Sequence, residues 1–240
     1  MVKPKEVDFR AEEEKHKMQN SLRDVILGGQ DGLVNALGII LGIVAAGGNN
    51  SILLATVFAA AAAESISMGA VVYTSALSQK AYYDAERKRE EKEVEKVPEK
   101  EREEIREIYR NKGFSEDSLE EIVKVITSNK KIWVDTMMAE ELHIEPVDTK
   151  DILKSSVIVT VATTIGHLIP VIPFLFGLEQ HEMLAISIVI SGLTLFAVGA
   201  YQAITLVGSW WKTGLKLVAI GLGAALIGYI IARLFHVATG

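Results

Sequence analysis

The chain has 240 residues, a formal charge of −6, 49% hydrophobic content and no cysteine. Without cysteine there is neither a disulfide framework nor a thiolate metal site. Residues 25–78 and 152–235 are nearly free of charge, whereas 1–24 and 79–151 hold most of the basic and acidic side chains, a split that reads as membrane spans joined by a soluble insertion rather than one mixed core.

The first stretch, "MVKPKEVDFRAEEEKHKMQNSLRD" (1–24), is charged and reads as helical near its end. It lacks the short apolar centre of a cleavable signal peptide, so the first span is expected to stay in the mature protein. A helix needs about 20 apolar residues to cross the hydrocarbon. Five segments qualify: 25–46, 51–78, 152–176 (with Pro170 and Pro173), 183–208 and 213–235. Their length and weak polar periodicity set aside a soluble all-helical core.

Within the first span, Asp31 stands in "GGQDGLVNALG"; Asn35 follows at i+4 and can line the same path, and Asp24 lies at its cytoplasmic mouth. Glu64 lies midway along the second span in "AAAAAESISMGA", and Met68, four residues on, shares its helix face. A carboxylate at that depth must be paired, protonated or facing water, and is by default a functional hypothesis. The plain alternative is a protonated Glu64 bonded to Ser65, Ser67 or a neighbouring helix, with Met68 as packing. His167, in "TTIGHLIP", reads as a packing or hydrogen-bonding residue beside a proline kink and stays outside the site. Gly38, Gly42, the alanine run 59–63, Gly192, Gly199, Gly221, Gly223 and Gly228 permit close helix approach. Five helices are few to enclose a path alone, which favours a homodimer.

The insertion, 79–151, reads as four helices. The first two, 80–97 and 99–111, are separated at Pro98. The third, "SEDSLEEIVKVIT", starts after Ser115 with acidic residues close behind, in the manner of a capping box. The fourth runs from 129 to 144 and is closed by Pro146. Glu90 with Glu93, and Glu101 with Glu104, are i,i+3 pairs that each show two carboxylates on one face. In so charged a segment such pairs also arise as solvated ion-pair faces. "WVDTMMAEELHIEP" adds Met137, Met138 and Glu141, a combination of thioether and carboxylate that suits a first-row transition ion better than calcium or magnesium. The same methionines could equally be core fillers. Glu140 and His143 have the i,i+3 spacing of carboxylate di-iron bundles, which keeps a membrane-anchored oxidase in view.

Basic residues set an expected orientation. Six Lys/Arg precede the first span, sixteen lie from Lys80 to Lys154, and Lys212 and Lys216 separate spans four and five. The loops "GGNN" and "GLEQHE" have none. The positive-inside rule then puts the N-terminus and the insertion in the cytoplasm and the C-terminus outside.

"DGLVNALG", "ESISMGA", "AERKREEKEVEKVPEKEREEI", "WVDTMMAEELHIEP" and "IGHLIPVIPFLF" together resemble the vacuolar iron transporter family, in a prokaryotic, archaeal version, over residues 20–235. The resemblance implies an all-α membrane protein of the cell membrane. Five transmembrane helices would carry a cytoplasmic helical metal-binding domain inserted between helices 2 and 3. It implies proton-coupled export of cytosolic Fe(II), with Mn(II), Co(II) and Zn(II) as further cargo, a homodimer with the ion path at its interface, and no permanently bound cofactor, enzyme chemistry or nucleic-acid partner. Its metal ligands fall on Glu90, Glu93, Glu101, Glu104, Met137, Met138 and Glu141. Its path residues fall on Asp24, Asp31 and Met68, with Glu64 placed by the "ESISMG" form and alanine at position 60. A passive channel and a membrane-anchored metal sensor are the competing readings.

Overall fold

The computed structural model describes residues 9–205 and 208–239, with side chains described from Ser21 onward except Glu116 and 236–239. Among the described residues all regular structure is helical. The order is α1 (Phe9–Ala45), α2 (Asn50–Lys96), α3 (Pro98–Asn111), α4 (Glu116–Thr127), α5 (Lys130–Thr136), a π-helical turn (Met137–Glu141), α6 (Thr149–Val171), a 3-10 turn (Ile172–Leu175), α7 (Gln180–Thr205) and α8 (Trp210–Thr239). Five helices are long and apolar enough to cross a membrane: Ser21–Ala45, Asn50–Lys96, Thr149–Leu175, Gln180–Thr205 and Trp210–Phe235. The expected end of the fourth span includes residues 206–207, which lie outside the described residues.

The chain divides into two compact units, one of residues 1–73 and 153–240 and one of 74–152. The boundary falls inside α2. The second span and the first insertion helix, expected as separate elements, form this single helix of 47 residues. No proline or glycine interrupts the chain between Gly69 and Pro98, so nothing stops the helix until the residue before Pro98, where the ring excludes a further helical turn.

In the first unit, Ala36, Ile40, Leu53, Val57, Val171, Phe174 and Met183 form one buried cluster, and Leu33, Leu195 and Leu217 another. Two side chains stitch the short loops at one end: Asn50 Nδ2 donates to Phe174 O (3.0 Å) and Gln180 Nε2 to Gly48 O (2.8 Å). The two loops without Lys or Arg are therefore at the same end of the bundle. Ser187 Oγ donates to Pro170 O (2.7 Å), satisfying a buried carbonyl where Pro173 turns the chain into the 3-10 turn. Many large apolar side chains on these helices remain exposed, among them Ile66, Val161, Leu193, Ile204, Ile227 and Phe235, as lipid-facing surface requires.

Helix α6 lies against α1 and α2 with backbones almost touching. A Cβ at Gly32 would meet Thr163 O at 2.2 Å, one at Gly28 Val159 O at 2.6 Å, and one at Gly69 Thr160 Oγ1 at 1.9 Å. Of the small residues singled out in the sequence, Gly199 makes a comparable approach to α8, whereas Gly38 and Gly223 meet nothing within 4 Å.

The second unit is held by Val94, Ile105, Val123, Ile126, Trp133, Val134, Met137 and Met138. Arg102 lies over the Trp133 ring, 5.6 Å from its centroid. Two local expectations hold at the helix starts, after Ser115 and at Asn129, but not in their detail. Ser115 caps α4 without a side-chain bond to the backbone, because its Oγ pairs with Ser118 Oγ (2.9 Å) in place of a capping box. The fourth insertion helix does not run evenly to 144. It converts to a π turn at Met137 and ends with His143 at φ 54°, where Ile144 N donates back to Met138 O (3.0 Å), a left-handed helix stop.

Candidate functional site

Helical spacing explains how carboxylates come to be buried in the second unit. Glu90 shares a face of α2 with Val94, and Glu101 shares a face of α3 with Ile105, so the apolar cluster that buries Val94 and Ile105 draws the acids in beside them. Glu90 is 1% exposed and Glu101 0%. One carboxylate oxygen from each of Glu90, Glu93 and Glu101 lies within 4.8 Å of the others. Compensation is partial: Arg89 Nη2 is 3.2 Å from Glu90 Oε1 and its Nε 3.9 Å from Glu93 Oε2, and Lys100 Nζ is 3.7 Å from Glu101 Oε1. Glu90 Oε2 and both Glu101 oxygens are buried without a hydrogen bond. Acceptors so placed are costly unless a cation completes them. Burial, then the charges of Glu104 and Glu90, push the Glu101 carboxyl up to about 7. The same causes, desolvation first, hold Glu141 above its ordinary range, although one side of it faces solvent. Five of the expected metal residues, Glu90, Glu93, Glu101, Glu104 and Glu141, are thus one electrostatic group.

Met137 and Met138 are 0% and 2% exposed and belong to the apolar cluster; packing is the role their contacts display. The π turn that carries them interrupts the α-helical spacing on which the Glu140–His143 pairing relied. Glu140 instead pairs with Lys112, and the His143 ring bonds Ala139 O (3.2 Å) from a left-handed backbone. The di-iron motif suggested by this spacing is therefore not formed.

In the first unit, α1, α2 and α6 bring Asp31, Glu64 and His167 together. His167 is 0% exposed. Its Nδ1 is 2.9 Å from Thr163 O, and its Nε2 is 3.1 Å from Glu64 Oε2. A carbonyl only accepts, so Nδ1 carries a proton. Nε2 and Glu64 then hold one proton between them, as a carboxylic acid donating to neutral imidazole or as a carboxylate facing imidazolium. The carboxylate of Asp31 adjoins Glu64 as a further acid. Ser65, a partner weighed for Glu64, has its hydroxyl buried without a hydrogen bond. Met68 is half-buried, Asn35 exposed, and Asp24 carries a buried Oδ2 without a hydrogen bond. His167, expected as a packing or hydrogen-bonding residue outside the site, is hydrogen-bonded as expected, and the fold sets it against Glu64. Its signal was its position beside Pro170 on a helix that also places Ser156, Thr160, Thr163 and Thr164 at helical spacing.

Residues 22–233 match the model of the VIT family. The chain is 32% identical to Vacuolar iron transporter 1 of Arabidopsis thaliana over 187 residues, which cover 78% of this chain and 75% of that protein. It is 30% identical to Vacuolar iron transporter 1 of Eucalyptus grandis over 212 residues, 88% and 85% of the two chains. It is 31% identical to the Vacuolar iron transporter of Toxoplasma gondii, with 91% and 76% covered.

Proposed function

The chain belongs to the VIT family, and on that premise we propose that it exports cytosolic Fe(II) across the membrane in exchange for protons, with Mn(II) and other divalent transition metals as further cargo. The relatives are named as iron transporters, not enzymes, and the cation crosses without covalent change. The observation that carries the reading is the 3.1 Å contact between Glu64 Oε2 and His167 Nε2, beside the carboxylate of Asp31, in helices long enough to span a membrane.

Proton and metal compete for the same oxygens. A proton taken up by Glu64 from the outer side weakens its hold on the ion and favours release there. Loss of that proton toward the cytoplasm restores two carboxylates for the next ion, with the thioether of Met68 on the same helix and Asp24 at the inner mouth. In this reading the insertion is cytoplasmic, as its Lys/Arg-rich flanks support, and collects Fe(II) on Glu90, Glu93, Glu101, Glu104 and Glu141. Met137 and Met138 contribute sulfur if the π turn opens toward the carboxylates. A homodimer in the cell membrane, with the path at its interface, accommodates the exposed apolar faces of a five-helix bundle.

The test is metal flux into proteoliposomes against an imposed pH gradient. Asp31→Ala and Glu64→Gln are expected to abolish it, and unchanged flux with Asp31 neutralised would overturn the reading. Flux indifferent to the gradient would instead indicate a passive channel, and its absence with retained metal binding a sensor.

A further inference from the structure

The geometry points to His167 as a metal-contacting residue of the membrane site, its Nε2 supplying an imidazole nitrogen to a divalent transition ion seated against Glu64. The inference rests on reading this site as the ion path, and it names a ligand and a source of metal preference within it.

Three features of the site converge. The first is the tautomer: Nδ1–H is committed to Thr163 O at 2.9 Å, so the lone pair available on the neutral ring is on Nε2 and faces Glu64. A ring N–H held by a backbone carbonyl is how ligating histidines are oriented in metal sites. The second is the spacing. Two ligands each about 2.1 Å from an ion and at about 90–110° to one another stand roughly 3.0–3.4 Å apart, and Glu64 Oε2 lies 3.1 Å from Nε2. An ion that displaces the one proton between them meets a nitrogen and an oxygen already at the separation it needs. The third is rigidity. The Cβ that Gly32 lacks would be 2.7 Å from Nδ1, and one at Gly166 2.4 Å from Gly29 O, so the ring is confined by the backbone of α1. The alternative is a histidine that only holds Glu64 in place.

The two roles differ in metal preference. Asp31 and Glu64 offer oxygen alone, which favours the later ions over Mn(II) only weakly. An imidazole adds affinity for Fe(II), Co(II) and Zn(II). His167→Gln keeps a hydrogen-bonding group toward Glu64 and removes the aromatic nitrogen. In proteoliposomes of the full chain, His167→Gln is expected to lower the Co(II)-to-Mn(II) and Zn(II)-to-Mn(II) flux ratios about tenfold. An unchanged ratio, or an equal loss for all three ions in a correctly folded protein, overturns the inference in favour of the positioning role. A second measurement does not depend on transport or on the His167 variant folding. The full chain with Glu90, Glu93 and Glu101 changed to Gln is loaded with Zn(II) and read by X-ray absorption. Multiple scattering from an imidazole supports the inference, and oxygen-only coordination overturns it. Absence of wild-type flux for every ion would sink the transport reading, with the spectrum still deciding the ligand.

Discussion

Glu101 shows what one buried carboxylate does to its unit. Its folded pKa of about 7 stands above the 4.5 of the free side chain, so between those values the folded state binds more protons than the unfolded one. Stability of the metal-free unit is therefore fullest below about 4.5 and falls as pH rises through 7. At about 1.4 kcal/mol for each pH unit between them, the loss is at most roughly 3.5 kcal/mol. Glu101→Gln is expected to slow amide hydrogen exchange in α3 of the metal-free full chain near pH 8, with the difference from wild type closing toward about pH 5. Metal affinity should move the other way. It should drop in the variant by no less than the roughly tenfold that even a supporting residue of a metal site costs, and fall in the wild type as protons displace metal below about pH 7. Titration with Mn(II) at several pH values checks both.

At the scale of elements, the contact between α1 and α6 decides whether the membrane site exists. Gly32→Ala puts a Cβ 2.2 Å from Thr163 O, a backbone atom that cannot swing away. The helices must separate, at a cost of about 1–3 kcal/mol, and His167 moves off Glu64. Gly38→Ala, with nothing within 4 Å, should be neutral or stabilising by up to about 1 kcal/mol. Thermal unfolding in detergent with flux on the same samples separates the two variants, and equal behaviour would refute the contact. In the insertion, His143 holds φ 54° at the stop of the π turn. His143→Gly relieves a left-handed backbone worth about 1 kcal/mol against the loss of one exposed bond to Ala139 O. A slight gain in melting temperature is expected, with metal affinity unchanged because His143 lies outside the carboxylate group. A fall in affinity would restore the Glu140–His143 pairing as a ligand set.

For the whole molecule, the proposed roles of capture and passage fall on the two compact units. Replacing Glu90 and Glu93 by Ala is expected to raise the metal concentration for half-maximal flux about tenfold or more while leaving the maximal rate near wild type. Glu64→Gln removes the rate itself. Equal loss of maximal rate in both variants would mean that the insertion is part of the path.

Hydropathy and charge alone determined the five spans, the charged insertion and the i,i+3 glutamate pairs, because burial in lipid demands long apolar runs and helical period fixes which side chains share a face. The motifs likewise carried the family. Local signals were less decisive where a competing local contact won: Ser118 took the hydroxyl expected to cap α4, and the continuity of α2 came from the absence of any breaker before Pro98. Only the tertiary structure decided that Glu90 and Glu93 of α2 converge with Glu101 of α3, since the apolar cluster between the two helices brings them together. The same holds for the pairing of Glu64 with His167, 103 residues away. A lone histidine in an apolar helix carries no sign of its partner. That partner is set by how closely Gly69 lets α2 approach α6, a distance no one-dimensional pattern contains.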